Sequence, residues 1–248
     1  MWKPIASLVI LFGVCAGSVA AAAITVVAPN VMKDAVTRIA KRFEGASGHR
    51  VALSWGGSEA ISKRITEGEA ADLVLTTAPA LDRLARDGKV VDASRMDIGR
   101  TAVAAAARAD GPKPDIGSVE GLKKALIDAR KIAISSGASG RYLEGLFEKL
   151  GVADQVRGKL VQPPSGAQIG ELLARGEADL GFQQVTELMH AKGIQYLGPL
   201  PAEVQNYTVW AGALHTAASQ AEAAKAFLQA LRTLEAQADL RQEGMEPY

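Results

Sequence analysis

Apolar, strand-like runs alternate with segments of helical period along almost the whole of this 248-residue chain. No other feature restricts its fold as much. "ITVVA" leads into a helical pattern near 32–44, "RVALSW" into one near 59–67, and "ADLVLT" into one near 79–87. The pattern resumes with "TAVAAAA" before a helix near 119–129, "KIAIS" before one near 140–150, and "KLVQ" before one near 166–175. "ADLGFQ" precedes a helix near 185–192, and "YTVWAGAL" precedes one long helix from about 219. Strands that alternate with helices bury both faces of a sheet, so an α/β fold is predicted, with mostly parallel sheets flanked by helices. The Pro- and Gly-rich stretch "RADGPKPDIGS" (108–118) reads as a surface loop.

A weak internal repeat divides the pattern in two. "SEAISKRITEGEAADL" (58–73) resembles "GAQIGELLARGEADL" (166–180), with Ile61 opposite Ile169 and Ile65 opposite Leu173 at an offset of 108. At the same offset "ITVVAPNVM" (24–32) falls on "IAISSGASG" (132–140), which sets Val31 opposite Ser139. A shared offset in two separated segments predicts two lobes of similar βαβα design.

In open parallel sheets, ligands sit beyond the carboxyl ends of strands, close to helix N-termini. Four strand-to-helix turns would therefore converge between the lobes: "APNVM" (28–32), "WGGSE" (55–59), "SGASGR" (136–141) and "PSGAQ" (164–168). Glycines there allow a backbone to approach a ligand closely, and unpaired helix N–H groups favour an anion. Charge limits how that anion is caught. Without Lys3, which lies in the leading segment, 27 basic residues face 27 acidic ones, so long-range attraction is absent. No basic stripe with interleaved aromatics appears, which argues against a nucleic-acid partner.

The leading segment, "MWKPIASLVILFGVCAGSVAAAA", has the form of an export signal over residues 1–23. Lys3 is its positive start, Ile5 to Val14 its apolar core, and Ser18-Val19-Ala20 or Ala20-Ala21-Ala22 its cleavage site. The apolar core is short for a bilayer span. Cys15 is the only cysteine and falls inside this segment, so disulfides and thiolate chemistry are not expected in the mature chain. A periplasmic location follows from the signal. About 225 mature residues can bury a full core.

The chain resembles the periplasmic molybdate-binding proteins of ABC uptake systems, within the type II periplasmic binding protein fold. The densest resemblance lies in "TVVAPNVMKDAV", "LSWGGSEAISKRITEGEAADLVLT", "GRYLEGLFEKLG" and "RGEADLGFQQ". The resemblance implies a cleft between two lobes, the first over 24–101 and 207–248 and the second over 102–206. It also implies a monomer that works with a membrane permease and needs no cofactor. Carried over position by position, the family's first ligand serine falls on Val31, which lacks a hydroxyl, and the second on Ser58. Backbone donors fall on Ser139 and Gly166, and the tyrosine that closes over the oxyanion falls on Gln184. With Asn30, Gly140 and Arg141 beside them, these are the candidate ligand contacts. Arg141 would grip a carboxylate bidentately, which tilts the reading from molybdate towards a small carboxylate.

Aconitate isomerases, which shift a proton between cis- and trans-aconitate, resemble this family too. If the chain were such an enzyme, Glu59 is the only carboxylate in the four turns and so the candidate base. Without that role it is an acid that complements a helix dipole. "GGSEA" (56–60) approaches a nucleophile elbow but ends in Ala60, and a binding loop explains it better. His49, His190 and His215 lie far apart without ligand spacing, so no metal site is expected. Trp55 could line the cleft, whereas Trp210, on an apolar strand, reads as core.

Overall fold

The computed structural model describes residues 21–248. The signal segment lies outside the described residues except for Ala21–Ala23, and Ala23 already belongs to the first strand. The order begins with β1 (Ala23–Pro29), α1 (Lys33–Ser47), β2 (Arg50–Gly56), α2 (Ser58–Thr66), β3 (Leu73–Thr77) and α3 (Ala78–Arg86). Next come β4 (Met96–Arg108), α4 (Val119–Asp128), β5 (Ile132–Ile134), α5 (Ala138–Lys149), α6 (Ala153–Arg157) and β6 (Leu160–Val161). Then follow α7 (Ile169–Ala174), β7 (Leu180–Gln184), α8 (Val185–Leu188) and β8 (Ile194–Pro199). The chain closes with β9 (Tyr207–Leu214), α9 (Ala221–Ala230), α10 (Leu234–Gln242) and β10 (Glu246–Pro247).

Parallel pairing occurs in two blocks, β2-β1-β3 and β7-β5-β6. These match the two halves of the repeat. Antiparallel strands join them. The thirteen residues of β4 pair with β9 through Met96–Ala102 and with β7 through Val103–Ala107, so one strand serves both blocks. The sheets are accordingly mixed: β9 runs antiparallel to β3, and β4 antiparallel to both β9 and β7.

Packing follows the strand period of two. Val103 and Ala105 face a core with Leu126, Leu146, Phe147 and Phe182, while Ala104 and Ala106 face Ile169, Leu173 and Leu188 on the other side. In the first block Val26 packs with Ile39, Leu73 and Phe227, while Val27 packs with Ile61, Ile65 and Leu81. Two of the four cores use residues before Thr101 and after Asn206, and two use residues between them. The second passage of the chain, at 205–207, is tied to the first by Gln205. Its Oε1 accepts from the Val103 N–H at 2.9 Å, and its Nε2 donates to the Val103 carbonyl at 3.0 Å.

Asp72, 2% exposed, holds the first block together. One carboxylate oxygen accepts from the Thr25 N–H (2.8 Å) and hydroxyl (3.0 Å); the other accepts from the Ser219 N–H (2.8 Å) and hydroxyl (3.1 Å) and the Gln220 N–H (2.9 Å). Burial by itself would raise this carboxyl, but the converging donors hold it below the ordinary carboxylate range.

Three helices depart from the sequence pattern. The single C-terminal helix expected from 219 is two, α9 and α10, because the Thr233 hydroxyl accepts from the Ala236 N–H (3.3 Å) and caps a new helix. The helix expected over 166–175 starts only at Ile169, since Gly166 takes a left-handed conformation (φ 91°). The one expected over 185–192 is the four-residue α8. Strands β8 and β10 and helix α6 lie outside the predicted pattern. No helix among the described residues is long and apolar enough to cross a membrane.

Candidate functional site

The four turns meet. Pro29–Val31, Gly56–Ser58, Ser135–Ser139 and Pro164–Ala167 surround a chamber of about 40 Å³, floored by Gln183, Gln184 and Trp210 and flanked by Glu187. At ~10–15 Å³ for each water-sized occupant, it has room for about three such atoms, the bulk of one carboxylate or a small oxyanion.

Close approach is built into the backbone. A Cβ on Gly57 would lie 2.7 Å from the Gly166 nitrogen, so two glycines abut across the cleft. Beside them the Asn30 side-chain amide donates to the Gly166 carbonyl at 3.0 Å. Helix α2 starts at Ser58 and α5 at Ala138, and neither start has a side-chain cap. Their first-turn N–H groups come from opposite sides of the cleft, an arrangement that favours negative charge.

Hydroxyls supply the remaining donors. Ser58 and Ser139 are buried in the chamber wall. Ser139 Oγ lies 2.9 Å from Ser135 Oγ, and Ser136 Oγ is enclosed without a hydrogen-bond partner among the described residues. Gln183 secures the fourth turn: its Oε1 accepts from the Ile169 N–H (2.8 Å), and its Nε2 donates to the Ala167 carbonyl (3.3 Å).

At the floor, the Gln184 amide bridges the Thr101 hydroxyl at 2.7 Å and the Thr208 hydroxyl at 3.0 Å. Trp210 Nε1 donates to Thr101 Oγ1 at 2.7 Å. Trp210 is core, and it also forms part of the chamber wall; Trp55 packs at the edge of the same core.

The sequence candidates therefore divide. Asn30, Val31, Ser58, Ser139, Gly166 and Gln184 line the chamber; Gly140 and Arg141 do not. Gly140 is there for packing, since a Cβ would collide with the Ser135 carbonyl oxygen. Arg141 Nη1 reaches instead to Glu59 Oε1 at 2.6 Å, with the two side chains 51% and 40% exposed. This pair spans the cleft rim, from α5 to α2, outside the chamber. Here Arg141 and Glu59 engage each other, and neither lines the chamber.

Sequence reasoning missed Glu187. It is the one ionisable side chain lining the chamber among the described residues. Burial pushes its carboxyl up to about 7, while contacts with the Gln168 and Gln183 side chains and the Gln184 backbone pull it down by less. An acid in the first turn of a helix looks like an ordinary dipole-complementing residue. Only the enclosure sets it apart.

A second cavity, of about 510 Å³, lies between α1 and the α7–α8 region. Asn30, Gly166 and Glu187 line both it and the chamber. The histidines stay apart. His49 accepts from the Ala22 N–H at 3.0 Å, His215 from the Ala217 N–H at 3.0 Å, and His190 sits 3.2 Å from Glu243. Among the described residues no group of three or more His, Cys, Asp or Glu side chains is placed to hold a metal ion.

A family model for bacterial extracellular solute-binding proteins matches residues 24–246. An aconitate isomerase from a Pseudomonas species is 34% identical over 230 residues, covering 90% of this chain and 87% of the relative. The molybdate-binding protein ModA of Azotobacter vinelandii is 30% identical over 161 residues, covering 63% and 61%. The solved structure of the periplasmic molybdate-binding protein of Azotobacter vinelandii superposes with a TM-score of 0.74. It is 22% identical and covers 90% of this chain and 98% of that one; the likeness is one of fold. The fold is thus a two-lobed α/β binding-protein fold.

Proposed function

Since this chain belongs to the bacterial extracellular solute-binding protein family, we propose that it is exported to the periplasm and closes its lobes on a small carboxylate-bearing anion. The lobes in this reading are 24–101 with 207–248, and 102–206, and the division of the cores supports it. Closure at the Thr101 and Gln205 passages would bury the ligand between helix N-termini and present it, as a monomer, to a membrane permease.

One observation carries the choice of ligand: the chamber wall holds a carboxyl that titrates near neutrality, among neutral donors. A carboxyl that is neutral up to about pH 7 leaves the chamber without a fixed negative charge at the pH where the anion enters. Val31 and Gln184, where the molybdate-binding relatives are expected to place hydroxyl donors, weaken the molybdate reading. A ligand larger than the chamber would extend into the adjoining cavity. The test is a thermal-shift screen of the mature protein against molybdate, sulfate, citrate and both aconitate isomers. Citrate or aconitate at 100 times its Kd should stabilise by about 2.7 kcal/mol, with molybdate and sulfate inert. A response to molybdate alone would refute the reading.

A second reading is that the same cleft isomerises its ligand, as the name of the Pseudomonas relative describes. The ionisable chamber wall favours it, because shifting a proton needs a base near neutral pH within reach of the ligand. Incubating cis-aconitate with the protein and following the trans isomer by proton NMR decides between binding and turnover.

A further inference from the structure

The geometry points to Glu187 as the group that moves the proton, at the carbon next to the carboxylate held in the chamber. This rests on the isomerase reading. The inner chamber takes about one carboxylate. The rest of an unsaturated polycarboxylate lies outside it, and Asn30, Gly166 and Glu187 line both the chamber and the larger cavity beside it. Glu187, the one ionisable side chain of the chamber wall among the described residues, is thereby next to the carbon that follows the held carboxylate in this proposal.

The chemistry balances without a co-reactant. The Glu187 carboxylate removes a proton from the methylene carbon, and the C–H electron pair enters the allylic system and its carboxylates. The carboxylic acid so formed returns a proton to the carbon at the other end of that system. One C–H bond breaks, one forms, the double bond shifts, and Glu187 ends as it began. No electron leaves the ligand. The enclosure that raises the Glu187 carboxyl brings its basicity closer to that of the reacting carbon.

The groups around it matter for its titration. Gln168, Gln183 and the Gln184 backbone touch it directly and are neutral. Across the outer cavity it faces Lys33 and Asp34 of α1, Glu171 of α7, and His190 and Lys192 beyond α8. His190 is paired with Glu243. The local charges thus come in both signs.

The experiment compares wild type, Glu187→Gln and Glu187→Asp. Ligand binding is read by thermal shift, isomerisation of cis-aconitate by proton NMR, and carbon-bound deuterium uptake in D2O. The wild-type rate should rise with pH through about 7 and level off. Glu187→Gln should still show a ligand-induced shift but isomerise and exchange at least about 100-fold more slowly. Glu187→Asp should recover part of the rate, because the carboxyl returns at a shorter reach. Turnover by Glu187→Gln at the parental rate overturns this assignment and leaves the isomerase reading standing. Loss of binding in both variants also overturns it, since Glu187 would then hold the ligand rather than act on it. A wild type that binds aconitate yet neither isomerises nor exchanges overturns the isomerase reading and this assignment together.

Discussion

Asp72 is buried and Glu187 half-buried in the chamber wall, and the protein treats their carboxyls in opposite ways. Asp72 sits where β3 meets β1 and the start of α9, with five hydrogen bonds from Thr25, Ser219 and Gln220 closing around it. Glu187 lines both the chamber and the outer cavity, with mostly side-chain amides for company. Fixed N–H donors keep the first charged below the usual range; enclosure without enough donors keeps the second near neutrality. A filled shell makes a carboxyl structural. A shell left open makes it available.

The largest expected effect breaks the first half of the contrast. Asp72→Ala removes one acceptor group and strands the Thr25, Ser219 and Gln220 N–H groups in a buried place. The loss should be about 3–5 kcal/mol of unfolding free energy, read by chemical denaturation. The sign of its pH dependence follows from the depressed pKa. Its contribution is present above the unfolded value of 3.8 and disappears as pH falls through the folded one. A loss under 1 kcal/mol would mean that water replaces the shell.

For Glu187 the sign reverses. Between the ordinary value of 4.5 and the folded value of about 7, the folded state holds a proton that the unfolded chain has lost, so stability falls as pH rises. Glu187→Gln removes that dependence and should stabilise the ligand-free protein at pH 8 by about 3 kcal/mol, while changing little at pH 4. Thermal denaturation across pH 4–8 measures both arms. Equal destabilisation at both ends would show that the carboxyl makes a structural contact like that of Asp72.

The two carboxyls also show what the residues disclose before folding. Alternating apolar runs and the 108-residue repeat set out the strands and helices, and they brought Val31, Ser58, Ser139 and Gly166 to one chamber. Those features are local, and spacing carries them. Enclosure is not local. Glu59 and Glu187 both open a helix after a strand, yet the fold turns one to the rim and the other to the chamber. The break between α9 and α10 needed the Thr233 cap, a single hydrogen bond that helical period does not reveal.

A third substitution probes the open shell from the side of its donors. Ser58 is buried in the chamber wall at the uncapped start of α2, so its hydroxyl is available to a ligand. Ser58→Ala should weaken binding of the anion found in the screen by about 1.5–3 kcal/mol, tenfold or more, with the unfolding midpoint of the free protein nearly unchanged. Unchanged affinity would make the chamber an unfilled gap between packed turns. A large fall in stability would make its shell as closed as that of Asp72.

The smallest effect belongs to a third carboxyl, Glu59, which is paired but exposed. Its contact with Arg141 joins α2 to α5 across the rim of the cleft, and solvent reaches both side chains. Exposed ion pairs contribute about 0.2–1 kcal/mol, and salt screens them. Had Arg141 gripped a ligand carboxylate, its removal would cost about 2–5 kcal/mol of binding. The rim geometry predicts less than about 1 kcal/mol for Arg141→Ala, acting through closure. Glu59→Gln should then lower affinity by the same small amount, and the double variant by no more than either single one. Ligand titrations of the four proteins at low and high salt complete the cycle. A tenfold or greater loss in Arg141→Ala, unmatched by Glu59→Gln, would bring Arg141 back to the ligand. The chamber would then hold a cation beside Glu187, and the contrast between a filled and an open shell would have to be redrawn.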